Sequence, residues 1–230
     1  MIIFTLHLLR KKDFYTYLSF FYLSIVFANN AMALYCPKAE KPTLTFSMKK
    51  KETQFVFSSD ETYLTSQATH SPKTSNFDKW KTQGLMSSKF PNYQLQAKIS
   101  AYSYPDLKKA CYFIEQINFD WVFAPTIYIA KEHKKNSCKY NTVIAHERRH
   151  VEIDIEILKK YKDAIKNNLE EQTSKPIETG LIDEDPEINL LNRIEENLKP
   201  VIDQMIKERN YRQSQIDTVE EYKKMDKICK

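Results

Sequence analysis

From about Tyr140 to Gln172 the chain contains neither glycine nor proline, and its apolar residues recur at helical spacing. Nothing in that segment supplies a turn, so it predicts one long helix, with Asn141 or Thr142 available as its cap. The residues before it carry a different period. Between Asn92 and Ser103, Tyr93, Leu95, Ala97, Ile99 and Ala101 alternate with polar residues, the pattern of a half-buried strand ended by Pro105 and Asp106. Thr43 to Met48 and Thr53 to Ser58 are aromatic and β-branched runs flanking Lys49, Lys50 and Lys51, which predicts a hairpin. A short helix is expected from Leu107 to Cys111. Phe119 to Ala130 reads as two strand pieces, or one bulged edge strand, interrupted at Pro125. Ala68 to Gly84 reads as a loop. Beyond the long helix, Pro176 and Gly180 mark a turn. Pro186 opens a second helix running to about Tyr211, with a kink expected at Pro200. Asp217-Thr218-Val219-Glu220-Glu221 has the form of a capping box for a last short helix. Strands first and helices second make the expected class α+β: a mostly antiparallel sheet, then a long helix and a C-terminal helical hairpin.

The N-terminus reads as a targeting segment. Arg10, Lys11 and Lys12 precede an apolar run from Phe14 to Ala28, and Ala31-Met32-Ala33 offers a signal-peptidase site. The run is shorter than the ~20 residues a membrane-spanning helix needs, and no second such run follows. The expected organisation is a signal peptide over 1–33 and one domain over 34–230, strand-rich over 34–139 and helical over 140–230. The expected location is periplasmic or secreted. Cys36, Cys111, Cys138 and Cys229 agree with export: an even number of widely spaced cysteines suits disulfides, with three pairings open. Net charge is +5 and interspersed, without the basic stripe of a nucleic-acid binder. Only Gly84 and Gly180 are glycines, too few for a phosphate-cradling loop.

The chemistry sits in His146-Glu147-Arg148-Arg149-His150. Imidazoles at i and i+4 project from one helix face and can meet one zinc ion with bonds of about 2.0–2.1 Å. Glu147 is rotated from them by ~100° and so stands beside the ion, where a carboxylate can take a proton from activated water. On a helical wheel the two histidines lie in the apolar arc with Val143, Val151, Ile153, Ile157, Leu158 and Tyr161. Arg148, Arg149, Glu152, Glu156 and Lys159 lie opposite, which places both arginines on the solvated side.

With Val143 three residues before the first histidine and Ala145 just before it, the segment resembles the zincin metallopeptidases. Taken with the signal peptide and Cys138 shortly upstream, it looks most like uncharacterised bacterial secreted zinc-dependent proteases. The specific likeness covers roughly residues 121 to 158, and Arg148, Arg149 and Glu152 depart from the stricter pattern. The resemblance implies zinc-dependent hydrolysis of peptide bonds, with His146 and His150 as ligands and Glu147 as general base. It also implies an upstream edge strand that binds extended substrate, a place Pro125 to Ala130 would fill.

The third ligand is left open. Glu170 is carried about 30 Å away by a continuous helix. If the second helix returns antiparallel, Glu208, Asp217 and Glu221 come back opposite His150. Glu221 is equally explained as half of its capping box. Asp154, acidic on an apolar face, is either a ligand or an acceptor that orients a histidine, and the second role suits its place on a straight helix better. His133, Tyr140 and Tyr222 are lesser candidates for substrate or oxyanion contacts. A reading of a different class is a non-catalytic exported envelope or binding protein, with a structural metal or none.

Overall fold

A computed structural model describes residues 35–38, 40–68, 81–174, 178–181 and 186–229. The expected signal peptide, most of the expected loop at 68–84 and the Pro176 turn lie outside the described residues. The chain divides into Met1–Pro37 and Lys38–Lys230, and all the elements that follow belong to the second unit.

The class is α+β. The strands are β1 (Thr43–Lys50), β2 (Gln54–Val56), β3 (Gly84–Ser87), β4 (Tyr93–Tyr104), β5 (Lys109–Phe123), β6 (Thr126–Ile129) and β7 (Glu178–Leu181). The helices are α1 (Glu61–Gln67), α2 (Cys138–Ser174), α3 (Pro186–Ile216) and α4 (Val219–Ile228). One sheet has the order β1-β5-β4, with β7 also on β5; the other has the order β2-β6-β3.

Lys49-Lys50-Lys51 does not turn the chain back as expected. β1 runs parallel to β5, with Phe46 opposite Phe119, and β2 runs parallel to β6, with Phe55 opposite Ile127. The hairpin fails because the three lysines supply no turn residue, and each strand finds a parallel partner further along the chain. Both pairs break together. Pro125 has no N–H to give the ladder, and the join is kept by Lys51 N–H to Phe123 O at 2.8 Å and Gln54 N–H to Pro125 O at 3.0 Å. Phe119–Ala130 is therefore two strands, and both are central. The edge strand of the second sheet nearest the motif helix is β3, which starts at Gly84, where the expected loop ends, so Pro125–Ala130 does not fill that role.

β4 shows the expected alternation up to Ile99, but a register shift between Lys98 and Ile99 ends it and Ala101 is exposed. In place of a helix from Leu107 to Cys111 there is one 3-10 turn, Pro105–Leu107. Lys108 follows in the left-handed region at φ 50°, and β5 begins at Lys109. Unanticipated α1 is capped by Asp60, whose carboxylate accepts from Tyr63 N–H at 2.8 Å, and it buries Leu64.

α2 starts earlier than expected, with Ser137 Oγ accepting from Tyr140 N–H at 3.2 Å. On its wheel Val143, Val151, Ile157 and Tyr161 are buried as read, and Glu152, Glu156 and Lys159 are exposed. α3 contains Pro200 without ending there and extends to Ile216. It returns antiparallel along α2, as Asn168 to Asn197 and Lys160 to Glu208 contacts show. The core between them holds Ile157, Ile165 and Leu169 against Ile194, Leu198 and Met205. On the sheet side Phe119 stacks on Phe46 and Tyr93, each at 5.2 Å, beside buried Trp121. Each such side chain contributes about 1.5–3 kcal/mol on burial.

Cys138 and Cys229 form a disulfide with Cα atoms 5.6 Å apart, joining the start of α2 to the end of α4. No cysteine among the described residues is free. No helix among the described residues is long and apolar enough to cross a membrane.

Candidate metal centre

The motif sits in the third and fourth turns of α2, under β3 and against the α3–α4 junction. His146, Glu147 and His150 are 2%, 5% and 8% exposed, so the polar part of the motif faces inward. α3 ends at Ile216 and α4 begins at Val219, and Asp217 lies in the break. Thr218 caps α4 by accepting from Glu221 N–H at 3.2 Å, which holds the break in place.

Three donor atoms converge there. His146 Nε2 and His150 Nε2 each lie 3.1 Å from Asp217 Oδ1 and 3.2 Å from one another. Among the described residues, His146, His150 and Asp217 are the group of His, Cys, Asp or Glu side chains able to hold a metal ion. The fit to zinc can be tested on this triangle. Tetrahedral ligands at bonds of about 2.0–2.1 Å stand about 3.3 Å apart, close to the separations found. Two imidazoles and a carboxylate are also a zinc donor set. One contact fits less well: Arg149 Nη2 lies 2.9 Å from His146 Nδ1 and also meets Glu221 Oε1. Arginine only donates, so while that bond stands His146 Nδ1 accepts and its proton is on Nε2. Metal on Nε2 requires Arg149 to leave the ring.

The electrostatics follow from burial and proximity. Burial raises Glu147 above the ordinary carboxyl range, against the opposing pull of the His150 and His146 rings. Burial likewise disfavours a charged His150, but the hydrogen bond and charge of Asp217 outweigh it and its pKa is raised. Burial would raise Asp217 as well; the hydrogen bonds from His146 and His150 hold it well below the usual range instead. Burial and the Asp217 charge push the Tyr222 phenol up, so it stays protonated and donates to Asp217 Oδ1 at 2.9 Å.

Glu147 is held by the edge strand: Met86 N–H donates to its Oε2 at 2.7 Å. That approach depends on Gly84. A Cβ there would lie 2.4 Å from Val143 Cγ1 and 2.8 Å from Glu147 Oε1. Val143 is β-branched and stiff, so β3 would have to move. Gly84→Ala should destabilise the fold by about 1–3 kcal/mol, the usual cost of overpacking, as measured by urea unfolding; an unchanged midpoint would show that β3 does not press on α2. A cavity of about 80 Å³ opens between β3, Glu147, His150, Asp217 and Tyr222.

The remaining candidates separate cleanly. Asp154, fully buried, is not in the triangle; it takes both oxygens to Arg209. Glu208 pairs with Lys160 and Tyr161 on the outside of the helix pair. Glu221 goes to Arg149, so it neither ligates nor completes a reciprocal box. The placement of Arg149 on the solvated side is corrected by its contacts with His146 and Glu221. A long side chain lets its head fold back over the motif. Arg148 is exposed above the Phe55 ring at 5.7 Å. Tyr140 packs on Phe57 at 5.6 Å, and His133 faces Glu61 at 4.0 Å, outside the cavity. Two residues beside the triangle were not anticipated, Gln213 and Arg209. Their signal was available: both continue the apolar stripe of Ile194, Leu198, Ile202 and Met205 on α3, where polar side chains need partners.

No protein-family model, curated protein or solved structure matches this chain.

Proposed function

We propose that this chain is an exported zinc-dependent peptidase. The observation that carries the reading is the convergence of His146 Nε2, His150 Nε2 and Asp217 Oδ1 within 3.1–3.2 Å of one another, beside a buried Glu147. Peptide as the substrate class comes from the likeness to zincins, and export is supported by the leader-like N-terminus and the disulfides.

His146, His150 and Asp217 hold the ion in this reading. A zinc ion supplies Lewis acidity, bringing the pKa of water down to about 7. Glu147 does the proton work. Its Oε2 is engaged by Met86 N–H, so the carboxylate is fixed in one rotation and a proton is taken up and passed on at Oε1. Tyr222 keeps its proton and steadies Asp217.

The Arg149 contact to His146 Nδ1 favours a second reading, a metal-free exported binding protein in which the histidine pair is structural. Metal content separates the two. The purified mature protein should hold about one zinc per chain, and His146→Ala should lose it. No metal in either protein would end the enzyme reading.

A further inference from the structure

We infer that Gln213 is a positioning residue for the metal centre, fixing through its side-chain amide which nitrogen of His150 is bare. The inference rests on the zinc reading above.

Gln213 is 2% exposed and makes three contacts. Its Nε2 donates to His150 O at 3.1 Å and to Asp154 Oδ1 at 2.6 Å, and its Oε1 meets His150 Nδ1. The carbonyl and the carboxylate are acceptors, so the NH₂ end of the amide must point at them. The flipped amide would set oxygen against oxygen twice. With the amide so oriented, Oε1 can only accept, and His150 Nδ1 must be the donor. With an ion bound, His150 Nε2 gives up its hydrogen bond to Asp217, and an imidazole that donates from Nδ1 then offers its lone pair at Nε2, the atom aimed at Asp217 and His146.

The amide is itself clamped. Asp154 receives Arg209 Nε at 2.6 Å, Arg209 Nη2 at 3.0 Å and Ser88 Oγ at 3.1 Å. Arg209 lies over the Phe90 ring at 4.7 Å, which leaves the pair little freedom to turn. The relay therefore runs Arg209, Asp154, Gln213, His150, with every donor and acceptor assigned. Gln213 also stands one turn before Asp217, so the end of α3 delivers both a ligand and the group that prepares another.

The test uses the full mature chain loaded with zinc. Side-chain ¹⁵N–¹H NMR should show the His150 Nδ1–H, protected from exchange with water. In Gln213→Met, which keeps the volume and removes the acceptor, that proton should exchange freely. Zinc affinity, measured by chelator competition, should weaken about 10–100-fold. A role in packing alone would lower the melting temperature and leave both readouts unchanged. If the wild type binds zinc and His146→Ala does not, yet Gln213→Met matches the wild type in affinity and exchange, the inference is overturned and the zinc reading stands. If the variant does not fold, the wild type decides, because a freely exchanging His150 Nδ1–H overturns the relay. A wild type that binds no zinc removes both.

Discussion

Glu147→Gln should keep its zinc, within a few-fold of the wild-type affinity, and lose peptide hydrolysis by about 10²–10⁴-fold, the usual contribution of a positioned acid–base group. The substitution is nearly isosteric, and its carbonyl oxygen can still accept from Met86 N–H, so β3 and the cavity keep their shape. What disappears is the ability to take a proton at Oε1. Wild type and variant are compared for cleavage of a denatured protein substrate, with metal content measured on the same samples. A variant that hydrolyses as fast as the wild type would remove Glu147 from the chemistry. One that loses zinc as well would make its role structural.

Arg209→Met should cost about 3–5 kcal/mol of stability, because it leaves the Asp154 carboxylate buried without its partner. Asp154 is fully buried and the Arg209 side chain is 14% exposed, so the pair is poorly screened by solvent. Surface pairs such as Lys199–Asp203, 68% and 57% exposed, are of the class that contributes about 0–1 kcal/mol. Urea unfolding of the metal-free protein measures the difference without interference from the ion. Asp154→Asn in the Arg209→Met background should recover part of the loss, since removing both charges is far cheaper than removing one. A loss below 1 kcal/mol would place this pair with the surface ones. The same change should loosen Gln213, which ties this prediction to the metal centre.

The two effects are distinguishable because they live on different links. Glu147 touches the cavity, and an amide in its place can keep the Met86 hydrogen bond. Arg209 and Asp154 anchor α3 to α2 at the level of Gln213, and act on the candidate metal centre through geometry. A chemical defect without destabilisation and a destabilisation without a missing acid–base group are separate signatures.

The helical half was legible because its information is local. The long segment without glycine or proline, the apolar arc and the i, i+4 histidines depend on helix geometry alone, and α2 buries the side chains that the wheel turned inward. The cap at Thr218 was legible for the same reason. The sheets were less so. β1 and β2 carry good strand patterns, but a pattern does not say which strand is the partner, and here both partners are parallel and lie more than sixty residues along the chain. β3 escaped notice because four residues beside a polar segment give period two little to act on.

The centre itself divides along the same line. Two of the three candidate donor positions and the neighbouring carboxylate follow from the spacing His146-Glu147-x-x-His150. The choice of Asp217 over Glu208, Glu221 and Asp154 does not, since it depends on where α3 stops and on how Thr218 holds the break. Only the packing of α3 on α2 brings Asp217, Gln213 and Arg209 to the motif, and contacts between residues some sixty apart in sequence leave no periodic trace.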